Sequence, residues 1–194
     1  MKKNNTYRLV VTALFIAIAI VLSVVTPFES LFVYGGGVTL FSQVPIIALS
    51  FIFGPAWGLV AGFIFSLFQL MFGLSNLAYA KTISAYLAIM FIDYILPFTM
   101  LGIAGIFKNS FKNRNLSMAF GATMVSLFRF LCHFLTGITV WKQYADGNTL
   151  KAILTYSFAY NVGYMVPETI ITVIGILALN KLLFPRLNED GTLK

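Results

Sequence analysis

Four ionisable side chains interrupt stretches of this sequence that otherwise read as membrane-spanning helix: Asp93, Arg129, His133 and Glu168. A charge at the bilayer centre costs about 3 kcal/mol on insertion scales, so such residues usually face the interior of a helix bundle and pair there or serve a ligand. The simplest structural role for Arg129 is therefore an ion pair with Asp93 or Glu168. Glu168 has the same structural interpretation.

Asp93 and His133 have neighbours that favour a ligand site. Asp93 lies in "FIDYILPF", where Pro97 removes the hydrogen bond to the Asp93 carbonyl and predicts a bend. His133, Gly137 and Trp141 recur every four residues in "FRFLCHFLTGITVW", which predicts one helix face that is concave at the glycine. The structural alternatives are a packing kink, a satisfied core histidine and a tryptophan of the interfacial belt.

The stretch "YSFAYNVGYMVPE" brings Tyr156, Tyr160, Asn161 and Tyr164 to the outer part of the last apolar segment. An asparagine there must find partners, and interhelical hydrogen bonding is the structural alternative. A carboxylate, aromatic rings, an imidazole and an amide together suit an organic cation that carries a hydrogen-bonding ring. The carboxylate balances the charge, each ring adds a cation–π attraction of about 2 kcal/mol when desolvated, and the amide and imidazole read ring nitrogens and amines.

Composition defines the elements that must position these residues. The chain has 194 residues, of which 59% are hydrophobic and 10% charged, whereas soluble domains carry roughly 25% charged residues. We therefore expect an all-α integral membrane protein with a single domain over residues 1–194. Six spans of about 20 apolar residues are predicted: 7–26, 40–53, 56–73, 82–107, 116–141 and 153–184. "FGPAWG" separates the second from the third, which leaves open whether 40–73 holds two full spans or a broken one.

The charges predict the orientation. With six spans, both termini and the 108–115 loop share one side, which holds nine Lys and Arg residues, and the opposite side holds three. The richer side is expected to be cytoplasmic. The basic residues do not form one patch, so the net charge of +7 is not interpreted as nucleic-acid binding. The first apolar run is long and has no small-residue cleavage site, and it is interpreted as a retained helix.

Three stretches carry a resemblance to a known family. They are "GGGVTLFSQVPIIALSFIFGPAWGLVAGFIFSL", "DYILPFTMLGIAGIF" and "RFLCHFLTGITVWKQYADGN" followed by "YSFAYNVGYMVP". With the six-helix layout, they resemble the thiamine-specific S-component of energy-coupling factor (ECF) vitamin transporters. The resemblance covers most of the chain. It implies a multi-pass protein of the bacterial plasma membrane that captures thiamine from outside and is not an enzyme.

The resemblance also implies roles for individual residues. Asp93 takes the acidic position that faces the cationic thiamine, where some members have Glu, and the remaining ligand positions fall on Tyr94, His133, Trp141, Tyr156 and Asn161. Gly137 is a further ligand-binding candidate because it makes the face between His133 and Trp141 concave. Trp141 is expected to stack on a thiamine ring. Some members place a Trp and a Glu in the first loop, where this chain has "YGGGVTLFSQ". Tyr34, Thr39 and Gln43 are therefore weaker candidates for contacts under that loop.

Partners follow from the same resemblance. S-components dock on a transmembrane coupling subunit that works with two ATPase subunits, and they do so through a small-residue face on the first helix. Here "ALFIAIA" supplies Ala13, Ala17 and Ala19, and small residues let helices approach closely. The chain has no G-x-x-x-x-G-K-[ST] loop of its own.

Other functions stay open at this point. The first alternative ligand is another vitamin or a thiamine precursor such as its pyrimidine half, and a neutral ligand would not require Asp93. An intramembrane enzyme would use His133 with Asp93, yet no nucleophile lies at a suggestive spacing. A proton or ion channel would use the ionisable residues as a relay. No metal and no cofactor are expected, since the chain has one His and one Cys.

Overall fold

The computed structural model describes residues 5–25, 36–186 and 191, and the chain folds there into six main helices. They are α1 (Asn5–Val24), α2 (Val44–Phe53), α3 (Pro55–Phe72), α4 (Ile83–Asn109), α5 (Arg114–Thr139) and α6 (Leu150–Leu182). Short 3-10 helices follow α3, α5 and α6 at Leu74–Tyr79, Trp141–Tyr144 and Phe184–Arg186. The predicted all-α class and the positions of the six segments are confirmed.

The 40–73 region holds one short helix and one that is long enough to span. A ten-residue α2 rises only about 15 Å, half of a hydrocarbon core of about 30 Å. Nine of its ten residues are buried, so other helices rather than lipid surround it. The break falls at Gly54, whose φ of 96° is a conformation that favours glycine. Pro55 then starts α3, where its missing N–H costs nothing.

Helix α4 changes its winding along its length. It is α-helical over Ile83–Ala88, π-helical over Ile89–Ile95, α-helical again over Leu96–Thr99 and 3-10 over Met100–Asn109. The disruption predicted from Pro97 thus takes the form of a π segment that ends two residues before the proline. Asp93 lies inside that wide turn. Single π turns within helices are frequently found at functional sites.

Glycines let α2, α3 and the 3-10 half of α4 approach each other closely. A Cβ on Gly58 or Gly102 would overlap the backbone of the other, and one on Gly105 would overlap Ser50. The Ser50 hydroxyl fills this contact by donating to the Gly102 carbonyl and accepting from the Gly105 N–H. These three elements therefore form the packed centre of the bundle. The site-bearing middle of α4 is fixed against it.

Helix α1 lies at the edge of the bundle, and its three predicted docking alanines do not share one face. Ala13 and Ala17 are exposed one turn apart, whereas Ala19 is completely buried in the core. Residues two positions apart on a helix point in directions about 200° apart, so Ala19 cannot share a surface with Ala17. The predicted docking set is corrected to Ala13 and Ala17.

Large apolar side chains cover the outside of the helices. The exposed side chains include Leu9, Leu14, Val21, Ile83, Leu131 and Ile174. Five of the helices are long and apolar enough to cross a bilayer. Such a surface is stable only in contact with lipid, and the chain is therefore a multi-pass membrane protein.

Candidate ligand-binding site

Asp93 is the centre of the predicted site. Its carboxylate is 8% exposed and accepts hydrogen bonds from three side chains. Trp141 Nε1 donates to Oδ2 at 2.9 Å, Thr136 Oγ1 donates to Oδ1, and His133 Nδ1 lies 3.1 Å from Oδ1. A carboxylate can be held at this depth because charge-assisted hydrogen bonds replace its lost hydration. The carboxyl group therefore points into the protein, toward the end of α5.

His133 connects this carboxylate to α6. The Asn161 amide nitrogen donates to the Ser157 carbonyl at 2.8 Å and to the His133 carbonyl at 3.4 Å. Tyr164 donates its hydroxyl proton to Asn161 Oδ1 at 2.8 Å, and its ring centre lies 6.2 Å from that of His133. The amide of Asn161 is thus oriented by its own helix and attached to the backbone of α5 at His133. The structure brings Asp93, His133, Trp141 and Asn161 together, as the sequence predicted.

Two groups of aromatic rings flank the Asp93–His133 pair. On the Trp141 side, Tyr79 packs edge-on at 5.8 Å and Tyr144 stacks at 6.2 Å. On the α6 side, successive contacts of 5.9 and 5.8 Å join Tyr156 to Tyr160 and Tyr160 to Tyr164. Tyr156 is therefore placed at the far end of an aromatic row that reaches His133 through Tyr164. Trp141 in the first group contacts the carboxylate directly through its indole N–H, and Tyr164 in the second contacts His133.

Tyr94 positions a neighbouring segment. Its hydroxyl accepts a hydrogen bond from Asn76 Nδ2 at 2.6 Å. A Cβ on Gly73 would overlap the Tyr94 hydroxyl, so only glycine leaves room for this contact. The bond fixes the 3-10 helix Leu74–Tyr79, which carries Tyr79 to Trp141. Tyr94 thus supports the aromatic group next to Trp141.

Thr39 and Gln43 bind Glu168, which is 3% exposed. The Thr39 N–H and hydroxyl donate to the two carboxylate oxygens at 2.6 and 2.7 Å, and Gln43 Nε2 donates at 2.6 Å. The chain that enters α2 is thereby attached to α6, and the Gly36 N–H adds a bond to the Tyr160 hydroxyl at 2.9 Å. The structural interpretation of Glu168 is supported, with hydrogen bonds instead of an ion pair. Tyr34 lies outside the described residues.

Arg129 does not make the predicted ion pair. Within the described residues the only salt bridge joins His133 to Asp93. The guanidinium, 5% exposed, lies 4.6 Å from the centre of the Phe98 ring, and its Nε and Nη1 atoms have no hydrogen-bond partner. The reason is competition: hydroxyl, indole, imidazole and amide donors already occupy both carboxylates. The guanidinium instead packs over the face of the Phe98 ring.

Comparison with known proteins identifies the family to which this arrangement belongs. Residues 9–187 match the family described as "Thiamine transporter protein (Thia_YuaJ)". The chain belongs to this family. It is 30% identical over 195 residues to the thiamine transporter ThiT of Bacillus subtilis (strain 168), with 96% of each chain covered. A solved structure of ThiT from Listeria monocytogenes has the same fold, with a TM-score of 0.70 at 22% identity over 91% of this chain and 94% of that one.

Membership of the thiamine transporter family confirms the resemblance found in the sequence. The family consists of transporters, so the intramembrane enzyme considered above is excluded. The setting of a multi-pass protein in the plasma membrane is likewise established.

Gly137 was predicted to leave a concave surface for the ligand, but in this member of the thiamine transporter family it has a different role. A Cβ added at position 137 would overlap Ser157 Oγ and lie 2.8 Å from Ser157 Cβ. Helix α6 therefore fills the space that the sequence analysis assigned to a ligand. Ser157 in turn donates to the Phe134 carbonyl at 2.9 Å. The glycine therefore permits close packing of α5 on α6. It contributes to the site by setting the distance between His133 and Asn161.

Sequence reasoning missed Thr136, Tyr79 and Tyr144. Thr136 follows His133 by three residues, a spacing that shares one helix face, and this signal was available. Tyr79 and Tyr144 carried no such signal, because they lie in short 3-10 helices whose positions only the tertiary structure defines. Trp141 was among the predicted residues, but it does not reach the site through the helical spacing that the sequence analysis assumed. Since α5 ends at Thr139, the four-residue spacing from His133 does not continue as α-helix to Trp141.

Proposed function

We propose that the chain is the substrate-binding subunit of a thiamine importer and that Asp93 faces the positively charged thiamine. The observation that supports this most directly is a buried carboxylate with hydroxyl, indole and imidazole partners and, within the described residues, no Lys or Arg ion pair. A buried carboxylate that lacks a permanently charged Lys or Arg partner is costly. An organic cation supplies that countercharge and lowers the cost on binding.

The neighbouring groups supply recognition. Thiamine combines a thiazolium cation with an aminopyrimidine, so the ligand needs both a countercharge and hydrogen-bonding partners. The rings of the Trp141 and Tyr160 groups provide cation–π contacts, and His133 and Asn161 provide donors and acceptors for the pyrimidine. Because Trp141 donates to the same carboxylate that balances the cation, its ring is oriented before the ligand arrives. Such preorganisation favours affinity.

The test is a thiamine titration followed by tryptophan fluorescence. The chain has two tryptophans, and Trp57 donates to Thr12 in contact with α1, away from Asp93. A Trp57→Phe background leaves Trp141 as the reporter, and we expect thiamine to quench it. In that background Asp93→Asn should weaken binding by about 30-fold or more, which corresponds to a lost charge partner of about 2 kcal/mol. Asp146→Asn, in an exposed loop, is the matched control and should bind normally.

Two results would redirect the assignment. If the fluorescence did not change with thiamine but changed with another vitamin or with the neutral pyrimidine half, the assignment of thiamine as the ligand would be wrong. If Asp93→Asn bound thiamine as tightly as Asp146→Asn, the electrostatic role of Asp93 would be wrong although the family would stand.

We further propose that the subunit delivers thiamine through an ECF module, a transmembrane coupling subunit with two ATPases, and docks on it through Ala13 and Ala17. Support comes from the resemblance and from the exposure of these two small residues on α1. Ala17→Phe should abolish uptake in cells and co-purification of the module while leaving thiamine binding intact. Ile18→Phe is the control, because it enlarges a side chain that is exposed on the same helix but points about 100° away from Ala17 around the helix axis. Equal effects of the two variants would contradict this docking face.

A further inference from the structure

A second cleft lies at the opposite end of the bundle from Asp93. It has a volume of about 590 Å³ and is formed where α5 begins and α6 ends. Its lining includes Arg114, Asn115, Leu177, Asn180, Lys181 and Phe184, and we refer to it as the basic cleft. From Arg114 to His133 the axis of α5 rises about 28 Å, so the two sites are separate. The cleft plays no part in the proposed capture of thiamine.

The basic cleft carries two cations and, among its described lining residues, no acidic side chain. Arg114 is held in place, because its guanidinium lies 4.2 Å from the centre of the buried Phe184 ring. A fixed guanidinium with free N–H groups matches the oxygens of a phosphate. Lys181, one turn before the 3-10 helix that carries Phe184, adds a second point charge on the opposite wall.

An incompletely satisfied amide pair marks the floor of the cleft. Asn180, 9% exposed, donates through Nδ2 to Asn115 Oδ1, and its own Oδ1 has no hydrogen-bond partner. The two ends of an amide occupy nearly equivalent positions. Rotating both amides by 180° therefore keeps the Asn–Asn bond and converts the unpaired position into an N–H donor. Buried polar atoms are normally paired, so this unpaired position makes the floor beneath the two cations polar rather than apolar.

The cleft opens onto a lipid-facing stripe of α6. Ile170, Ile174, Ala178 and Leu182 follow each other at intervals of four residues, and all four are exposed. Ala178 lines the cleft itself. A molecule with a phosphate in the cleft could therefore lay an acyl chain along Ile174 and Ile170 toward the membrane centre. A free phosphate ion would leave this apolar stripe unused.

We infer that the basic cleft binds the phosphate headgroup of an anionic phospholipid in the leaflet it faces. On the orientation predicted from the charges, that leaflet is the cytoplasmic one, where basic pockets between helices commonly bind such lipids. The lipid joins the start of α5 to the end of α6. These are the two helices that carry His133 and Asn161 at their other ends.

The test uses native mass spectrometry of the full chain in detergent, with phosphatidylglycerol or phosphatidylcholine of identical acyl chains. We expect wild-type protein to retain phosphatidylglycerol preferentially. In the double variant Arg114→Gln, Lys181→Gln, the retention of phosphatidylglycerol should fall about ten-fold. This is the size of effect expected from removing one or two basic residues that contact an anionic headgroup. Lys108→Gln, Lys112→Gln removes the same charge from exposed residues nearby and should retain the lipid.

Three results would overturn the inference. Equal retention of the two lipids by wild-type protein would show that the cleft does not select an anionic headgroup, and this result needs no variant to fold. An equal loss in the Lys108, Lys112 control would assign the effect to diffuse surface charge. Displacement of the lipid by inorganic phosphate at an equal phosphate concentration would make the cleft a plain anion site.

Discussion

Asp93 shows how one residue can join several elements. It lies on α4, and its carboxylate binds side chains from α5 and from the 3-10 helix that follows it. Each donor alone contributes about 1.5–3 kcal/mol to a charged acceptor. Removing the carboxylate would leave the half-buried Trp141 indole and His133 imidazole without this partner, whereas Thr136 would keep its hydrogen bond to the His133 carbonyl at 3.0 Å. The same group thus positions Trp141 and His133 before a ligand binds.

Thr136 offers the sharpest test at this scale. Thr136→Val keeps the shape of the side chain but removes the hydroxyl that donates to Asp93. We expect thiamine affinity to fall by about 5- to 20-fold, because the carboxylate loses one of three oriented donors. Thr139→Val is the matched control, since its hydroxyl returns to the Leu135 carbonyl of its own helix on an exposed face. Isothermal titration calorimetry measures both, and equal affinities would contradict a positioning role for Thr136.

Among the elements, α5 and α6 set the geometry of the site. They meet where Gly137 faces Ser157, and the same contact places the His133 carbonyl 3.4 Å from the Asn161 amide. The segment that enters α2 is joined to α6 by Glu168, which accepts three hydrogen bonds of 2.6–2.7 Å from Thr39 and Gln43. Helix α6 therefore contacts both His133 and the segment 36–43 that leads into α2.

Gly137→Ala tests this contact between helices. The new methyl group would overlap Ser157 and force α5 away from α6. Overpacking of this kind costs about 1–3 kcal/mol, so we expect a lower melting temperature together with weaker thiamine binding. Adding Ser157→Gly makes room for the methyl group and should restore much of both. Thermal unfolding in detergent provides the measurement, and a double variant no better than the single one would contradict the proposed contact.

At the scale of the whole molecule, charge determines orientation. The loop around Asn113 and the loop around Asp146 lie at opposite ends of α5, and the first is rich in basic residues. We therefore expect Asn113 inside the cell and Asp146 outside. The only native cysteine, Cys132, is buried and reacts poorly with a polar reagent.

Cysteine labelling on intact cells checks this orientation. In a Cys132→Ser background, Asp146→Cys should react with a membrane-impermeant maleimide, and Asn113→Cys should react only after the cells are permeabilised. The reverse pattern would place the Asp93 site at the cytoplasmic end and would also move the basic cleft to the outer leaflet.

The sequence by itself determined the class, the six segments and most of the site residues. Hydrophobic runs of this length are stable only in lipid, and the cost of intramembrane charge makes Asp93, His133 and Glu168 conspicuous in any apolar stretch. The ion pair predicted for Arg129 was wrong, because the sequence does not show which donors from other helices bind the Asp93 and Glu168 carboxylates.

Only the tertiary structure decided how the polar groups are paired and what fills the spaces between helices. In the structure, Asp93 accepts hydrogen bonds from Thr136, His133 and Trp141. Glu168 accepts them from Thr39 and Gln43, and Ser157 packs against Gly137. The tertiary structure also buried Ala19 and brought Tyr79 to Trp141. The physical reason is that hydrogen bonds and close packing act over a few ångströms between residues distant in sequence. Burial in lipid, in contrast, acts on each segment separately and leaves its mark in the local composition.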